Sequence, residues 1–437
     1  MRISVFGCGY LGAVHAACMT RLGHDVVGVD VVPDHVAALS RGEPPFFEPG
    51  LPELLSEGLA TGRLSFTTDP FEAADATVHF VCVGTPQRLG EYAADLHFVD
   101  SAINAILPLL KPGDVVVGKS TVPVGTAERL AERVWEAQPD AELIWNPEFL
   151  REGHAVADTL HPDRFVYGVA ATPVGAAATA KLDEVYAAAL AEGTPKVVAD
   201  LATAQLVKVA ANSFLATKIS FINAMAELCE ATGADVTLLA DAIGHDKRIG
   251  RHFLNAGVGF GGGCLPKDIR AFMARAGELG VDQALTFLRE VDSINMRRRV
   301  RMVDLAREEC GGSIVGRRVA VLGAAFKPDS DDIRDSPALN VAAQMQLQGA
   351  QVSVTDPRAL DHARKKWPEL TLATTVEEAV RGAEVVLLLT EWPEYVGLDP
   401  VRLARMVAVP RIIDGRNCLD PVQWRAAGWT YRALGRP

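Results

Sequence analysis

Cysteine is scarce and unpaired in this sequence: seven residues in 437, an odd number with no C-x-x-C pair. That excludes a disulfide-stapled scaffold and fits a reducing compartment. Basic runs are missing too. Against 55 Asp+Glu stand 43 Lys+Arg, a formal net charge of −12, which leaves no electrostatic footprint for DNA or RNA. A small anionic substrate stays open, because local Lys and Arg can still gather round a phosphate. No apolar run approaches the ~20 residues of a membrane-spanning helix, and the opening MRISVFGCGYLG has neither the charged start nor the long apolar core of a signal peptide. The ten histidines show no metal-ligand spacing: His245-Asp246 and His252 lack a second His at i+4, so no metal is expected. Low-complexity tracts and fixed-period repeats are absent. What remains is a cytoplasmic globular protein, 49% hydrophobic and 22% charged, long enough for two or three domains.

The pattern along the chain is α/β. Residues 2–6 form a short apolar run ending at glycine, a buried parallel strand; a helix over 11–22 and a strand over 25–30 follow. Further strands are expected at 77–83, 115–120 and 143–145, separated by helical stretches such as 98–110. Strands alternating with helices predict a parallel sheet covered on both faces. From 202 to 231 the chain has no Gly or Pro and is apolar on nearly every side, a long helix that needs another domain or subunit to cover it. A second alternating series has strands at 319–322, 351–355, 385–389 and 411–413. The expectation is two doubly wound, Rossmann-like domains joined by a long central helix, with a likewise expected dimer surface on that helix.

Gly7-Cys8-Gly9-Tyr10-Leu11-Gly12 matches G-x-G-x-x-G between a predicted strand and helix, and the next strand ends in Asp30. Alone the triplet is weak; in this context it is the dinucleotide fingerprint. The pyrophosphate then sits on the helix N-terminus. Asp30 would accept from the adenosine ribose hydroxyls and repel a 2′-phosphate, favouring NAD over NADP. The second half has no glycine triplet at Gly323-Ala324-Ala325-Phe326-Lys327-Pro328, although Asp356 closes its next strand.

The densest signal is Gly257-Val258-Gly259-Phe260-Gly261-Gly262-Gly263-Cys264-Leu265-Pro266-Lys267-Asp268. Glycines permit close approach to a bulky ligand. Pro266 suits the first turn of a helix, which puts Cys264 at the N-terminus, where the dipole and Lys267 favour a thiolate. Asp268, four positions on, points the same way if the helix starts early. Cys8, Cys18, Cys82, Cys229 and Cys310 read as small buried hydrophobes; Cys418, beside Asp414-Gly415-Arg416-Asn417, stays open as a neighbour of a site. Lys208 and Asn212, also four apart, lie on the long apolar helix; a lysine there either works or snorkels to the edge, and the residues alone leave both readings open. Glu148 and Glu152 follow a predicted strand, at the sheet end where open α/β folds bind ligands, yet by themselves read equally as solvated carboxylates.

Together these stretches resemble the UDP-glucose/GDP-mannose dehydrogenase family over almost the whole chain. The likeness includes Phe47-Glu48-Pro49-Gly50-Leu51, Val83-Gly84-Thr85-Pro86, Ser120-Thr121-Val122-Pro123-Val124-Gly125-Thr126 and Asn146-Pro147-Glu148-Phe149-Leu150-Arg151-Glu152-Gly153. It continues through Ala211-Asn212-Ser213-Phe214-Leu215-Ala216, Arg248-Ile249-Gly250, Phe326-Lys327-Pro328, Asp331-Asp332-Ile333-Arg334-Asp335-Ser336-Pro337 and Thr390-Glu391-Trp392. Departures are Gln205 and Ala224, where relatives often have Glu, and Gly263, where Ser is common.

The resemblance implies an NAD-dependent oxidoreductase of nucleotide-sugar metabolism and polysaccharide biosynthesis. It would convert UDP-glucose to UDP-glucuronate with two NAD per cycle, through a thiohemiacetal and a thioester on Cys264. Asp268 and Thr121 would position water, Glu148 would serve acid–base steps, and Lys208 and Asn212 would stabilise oxyanions, typically worth ~2.7–4 kcal/mol per donor. Gly7, Gly9, Tyr10, Leu11, Gly12, Asp30, Thr85, Thr121, Glu152, Lys267 and Arg334 would hold NAD. Phe149, Leu150, Arg151, Lys208, Asn212, Phe253, Gly257, Lys327 and Arg416 would contact the UDP-sugar, with Arg248 reaching across a homodimer. The implied domains are 1–200 for NAD, 201–312 for dimerisation and the catalytic cysteine, and 313–437 for the UDP-sugar. GDP-mannose or a UDP-N-acetylsugar as substrate, or a non-catalytic nucleotide-sugar and NAD binder, are the competing expectations.

Overall fold

The computed structural model describes residues 1–437, which divide into two compact units: Met1–Ala211 with Arg270–Gly280, and Asn212–Ile269 with Val281–Pro437. No helix is long and apolar enough to cross a membrane.

The first unit holds eight strands: β1 (Arg2–Phe6), β2 (Asp25–Val29), β3 (Leu64–Thr67), β4 (Val78–Val81), β5 (Val115–Gly118), β6 (Glu142–Trp145), β7 (Phe165–Gly168) and β8 (Lys196–Ala199). Their order is β3-β2-β1-β4-β5-β6-β7-β8. The order reverses between β1 and β4, the switch point at which such sheets open a crevice for ligands. Every residue of β4 to β7 is buried, so apart from His79 and Glu142 these strands read as apolar runs rather than alternating ones. The pleat still sorts them. Val115, Val117 and Ile144 pack on one face, and Val116, Leu143 and Trp145 on the other. Trp145 lies over Gly118, where an added Cβ would come within 2.1 Å of the indole ring. The parallel expectation holds through β6. β7 then pairs with β6 antiparallel, at Trp145↔Gly168, and β8 runs parallel to β7.

The second unit holds β9 (Arg318–Leu322), β10 (Gln351–Thr355), β11 (Thr371–Leu372), β12 (Val385–Leu388), β13 (Arg411–Asp414) and β14 (Thr430–Ala433). Their order, β11-β10-β9-β12-β13-β14, is parallel throughout, with its own switch point between β9 and β12. Ser336 caps the helix Pro337–Leu347, its hydroxyl accepting from Leu339 N at 3.3 Å.

The expected long helix runs Leu201–Thr232, 32 residues or about 48 Å. Its start is set by Asp200, which accepts from Thr203 N at 2.7 Å. Its end comes at Gly233, with φ +76°, whose N–H returns to Cys229 O at 2.9 Å; a left-handed glycine there satisfies an orphan carbonyl. Phe214, Phe221 and Leu228, seven apart, are exposed along this helix.

Candidate active site

In the first unit the fingerprint turn has the geometry a dinucleotide needs. Gly12 lies against the turn itself, where a Cβ would sit 1.7 Å from Gly7 O, whereas a Cβ on Gly9 would meet nothing within 4 Å. The helix Tyr10–Arg21 has no side-chain cap and no acidic residue in its first turn, so its N-terminal donors remain for an anion. Asp30 accepts from Cys8 N at 2.7 Å and from Val32 N at 2.9 Å. A carboxylate has about four acceptor positions, so two remain for ribose hydroxyls. The open space at Gly9 and the aimed carboxylate fit NAD.

Neighbouring loops are laced together at the same sheet end. Thr85 Oγ1 donates to Thr121 O at 2.8 Å, and Ser120 Oγ to Val83 O at 2.7 Å. After β6, Glu148 Oε1 accepts from Phe149 N at 2.8 Å and Leu150 N at 3.2 Å, and Oε2 lies 2.9 Å from Lys119 Nζ. Lys119 is a functional candidate that sequence reasoning missed. It is 4% exposed, and its ammonium also donates to Asn146 Oδ1 at 3.0 Å and Tyr186 OH at 3.3 Å, which uses all three protons. Burial raises the Tyr186 phenol. Arg151 is drawn to Asp158 through its backbone N and the Nε–Nη2 edge of its guanidinium, the closest contact 2.7 Å. Lys208 is half-buried, its Nζ 5.3 Å from the centroid of the Phe149 ring, over which Arg164 also packs at 3.9 Å. Gln205 accepts from Ala127 N at 3.0 Å and donates to Glu128 Oε2 at 2.8 Å, two bonds of which a carboxylate supplies only the first.

In the second unit, Cys264 immediately precedes the helix Leu265–Glu278, as expected, and of the seven cysteines it alone is exposed. Its carbonyl accepts from Asp268 N at 2.9 Å. Asp268 itself is buried, with Oδ2 accepting from Asn212 Nδ2 at 2.7 Å and Oδ1 from Lys267 Nζ at 2.6 Å. Lys267 thus pairs with Asp268. The glycine run is also packed closely by its own neighbours. Added Cβ atoms would meet Gly415 O from Gly257 at 2.6 Å, Asn295 Oδ1 from Gly259 at 2.4 Å and the Arg334 guanidinium from Gly263 at 2.2 Å. The run is threaded past its own neighbours, and the protein fills the room the glycines leave.

Phe253 takes φ +64°, and Arg248 is bonded to Asp246 at 2.6 Å with its side chain 89% exposed. Lys327 Nζ lies 5.6 Å from the Phe326 ring. Arg416 donates to Leu389 O, Gly259 O and Phe326 O at 2.8, 2.9 and 3.2 Å, beside Asp414, whose carboxyl is raised by burial. Asp356 is not a free ribose acceptor: it takes Ala324 N, Ala325 N, Arg358 N, Ala359 N and the Trp392 indole N–H. The turn that would cradle a pyrophosphate is tied up within the protein.

Two doubly wound sheets, one with an open dinucleotide turn and the other with a closed one, define a Rossmann-type NAD-binding oxidoreductase with a second nucleotide-binding-like domain. The chain belongs to the UDP-glucose/GDP-mannose dehydrogenase family: that family's NAD binding domain matches residues 1–190, its central domain 202–297 and its UDP binding domain 320–421. It is 41% identical to a UDP-glucose 6-dehydrogenase of Rhizobium meliloti (strain 1021), with all of both chains covered. A UDP-glucose 6-dehydrogenase of Pseudomonas aeruginosa is 40% identical, with 100% of this chain and 98% of the relative covered. A UDP-glucose dehydrogenase structure from Pyrobaculum islandicum superposes with TM-score 0.89 at 38% identity, covering 100% of this chain and 98% of that one.

Proposed function

We propose that the chain is a UDP-glucose 6-dehydrogenase, oxidising the sugar's C6 alcohol to a carboxylate in two steps while Cys264 retains the intermediate. NAD, when bound, accepts a hydride from the carbon being oxidised, and two equivalents are consumed per sugar. Loss of hydride and a proton from the C6 alcohol gives an aldehyde. The Cys264 thiolate adds to that carbon, forming a C–S bond as the C=O π bond breaks, and the resulting oxyanion takes up the proton just released to give a thiohemiacetal. Loss of a second hydride and a proton gives the thioester, which water cleaves to uronate and free thiol. Hydride transfer alone needs no sulfur; holding an aldehyde for a second oxidation does. The observation that carries the reading is the single exposed thiol, Cys264, at a helix N-terminus in a chain of this family.

Asn212 and Lys208, one turn apart on the long helix, are the proposed oxyanion donors. Asp268, held by Asn212 and Lys267, and Thr121 position water, and Glu148 moves protons. Gly7, Gly9, Tyr10, Leu11, Gly12, Asp30, Thr85, Glu152, Lys267 and Arg334 are the proposed NAD contacts; Phe149, Leu150, Arg151, Phe253, Gly257, Lys327 and Arg416 those of the UDP-sugar. The functional division 1–200, 201–312 and 313–437 and a cytoplasmic setting belong to the same reading. A homodimer is supported by the Phe214, Phe221 and Leu228 stripe, since large apolar groups at seven-residue spacing form a helix-packing seam. The solvent-facing Arg248 would reach a partner's site by exchanging its ion pair with Asp246.

The test is a stoichiometry: purified protein, excess NAD, a panel of UDP-glucose, GDP-mannose and UDP-N-acetylsugars, and NADH counted per sugar consumed. Two NADH per UDP-glucose is expected. One NADH, or faster turnover of another sugar, overturns the assignment; binding without turnover marks a non-catalytic protein.

A further inference from the structure

Glu48 is one of the most deeply placed carboxylates of the first unit, 2% exposed, and no cation pairs with it. Its charge is met by N–H and O–H donors instead. Gly153 N and Ala155 N each donate at 2.7 Å, Val156 N at 3.5 Å, and the Tyr10 hydroxyl also donates. The donors come from two places far apart in sequence. Ala155 and Val156 open the helix Ala155–Leu160, whose own N-cap, His154, makes no side-chain cap bond, so Glu48 supplies the missing acceptor from another loop. Tyr10 is the first residue of the helix that follows the dinucleotide turn, and its oxygen also accepts from Gly153 N at 3.1 Å. Its ring packs on Phe46 at 4.7 Å between centroids. Bonds to an ionised acceptor are roughly twice as strong as neutral ones, so this junction is stiff.

Between the two ends of that junction runs the loop 148–153. Its start is held by Lys119 through Glu148, and its end by Glu48 through Gly153, at φ +78°. We propose that Glu48 is a positioning residue that couples the dinucleotide turn to this loop: a displacement of Tyr10 when cofactor binds reaches Gly153 through Glu48 and resets the segment carrying Glu148, Phe149 and Arg151. Cofactor occupancy thereby sets the affinity for the nucleotide sugar. The inference rests on the proposed function for the identity of its substrate, and on the first unit alone for its geometry.

The variants are Glu48→Gln, which puts an amide NH2 among donors, and Tyr10→Phe, which removes one hydroxyl and leaves Glu48 on Gly153 and Ala155. The measurement is the affinity for UDP-glucose with and without saturating NADH, together with kcat and KM. In the wild type NADH is expected to tighten the sugar several-fold. In both variants that ratio should fall towards one, with kcat of Glu48→Gln down by about 10–100-fold, the scale of a 1 Å misplacement. A staple that only holds the fold lowers all rates in proportion to the folded fraction and leaves the NADH effect intact; that result overturns the proposal. Should Glu48→Gln fail to fold, Tyr10→Phe decides alone by the same ratio. Should the wild type not oxidise UDP-glucose, the proposed function fails, and UDP replaces it as the binding probe for the coupling.

Discussion

The Lys119 ammonium and the Glu148 carboxylate meet at 2.9 Å with side-chain exposures of 4% and 16%, at the C-terminal ends of adjacent strands. Breaking such a pair on one side leaves a charge with little water around it, a loss of about 3–5 kcal/mol. Lys119→Met is therefore expected to lower the apparent Tm and to disable turnover by freeing Glu148 from its place. The double variant Lys119→Met/Glu148→Gln should recover much of the stability and none of the activity. Thermal unfolding and NADH production check both; a Lys119→Met protein that melts with the wild type would refute the pairing as a determinant.

Thiol chemistry separates Cys264 from the other cysteines. Cys8, Cys18, Cys82, Cys229 and Cys310 are buried and Cys418 half-buried. Burial pushes the Cys82 thiol up to about 12 and raises Cys8, Cys18 and Cys418 as well, so none of them offers a thiolate near neutral pH. Brief iodoacetamide treatment should modify Cys264 first, abolish uronate release, and be slowed by UDP-glucose. Peptide mapping by mass spectrometry reads the order of labelling, and spread labelling over several cysteines would contradict it. Cys264→Ser should likewise stop uronate formation while NADH binding stays close to normal.

Gly9 and Gly12 belong to one motif yet serve different ends. A methyl on Gly12 collides with Gly7 O inside the protein, while one on Gly9 enters open space. Gly9→Ala should cost little apparent Tm, since its φ of −69° suits any residue and the added methyl meets no atom within 4 Å, but weaken NADH about tenfold or more, or ~1.4 kcal/mol. Gly12→Ala should lower the Tm even without cofactor. Calorimetry with and without NADH resolves the two, and an unchanged NADH affinity in Gly9→Ala would place the dinucleotide elsewhere.

Much of this was legible because local pattern carried it. The fingerprint turn, β1, β2, β9 and β10, and the Gly- and Pro-free helix Leu201–Thr232 stand where composition and punctuation predict them. The edges were harder. β8 (Lys196–Ala199) has Val197 and Val198 half exposed, so it presents no buried run. Lys119 and Glu48 were invisible as partners. Lys119 bonds to Tyr186, 67 positions away, and Glu48 to Gly153, 105 positions away; only the folded sheet ends bring them together. The close packing around the glycine run was hidden for the same reason, since the atoms it makes room for, on Asn295, Arg334 and Gly415, lie far along the chain.

His15 supplies a pH dependence that no active-site residue explains. It is fully buried, and neither ring nitrogen has a hydrogen-bond partner. Its ring meets Phe80 edge-on at 4.3 Å between centroids. Burial, then the charge of Lys119, then His24, hold its pKa well below the usual value, so it is neutral in the folded protein. In the unfolded chain it titrates near 6.5. Below that pH the unfolded state binds a proton the folded state refuses, so stability falls as the solution is acidified, by a slope approaching about 1.4 kcal/mol per pH unit from this group alone. His15→Leu keeps the volume and removes the proton. The difference in unfolding free energy between wild type and His15→Leu should be flat above pH 7 and move steadily in the variant's favour below 6.5. Carboxylates titrate alike in both proteins and cancel from that difference. Parallel denaturation series from pH 8 to 5 measure it, and a difference independent of pH would mean that His15 carries its proton inside the fold.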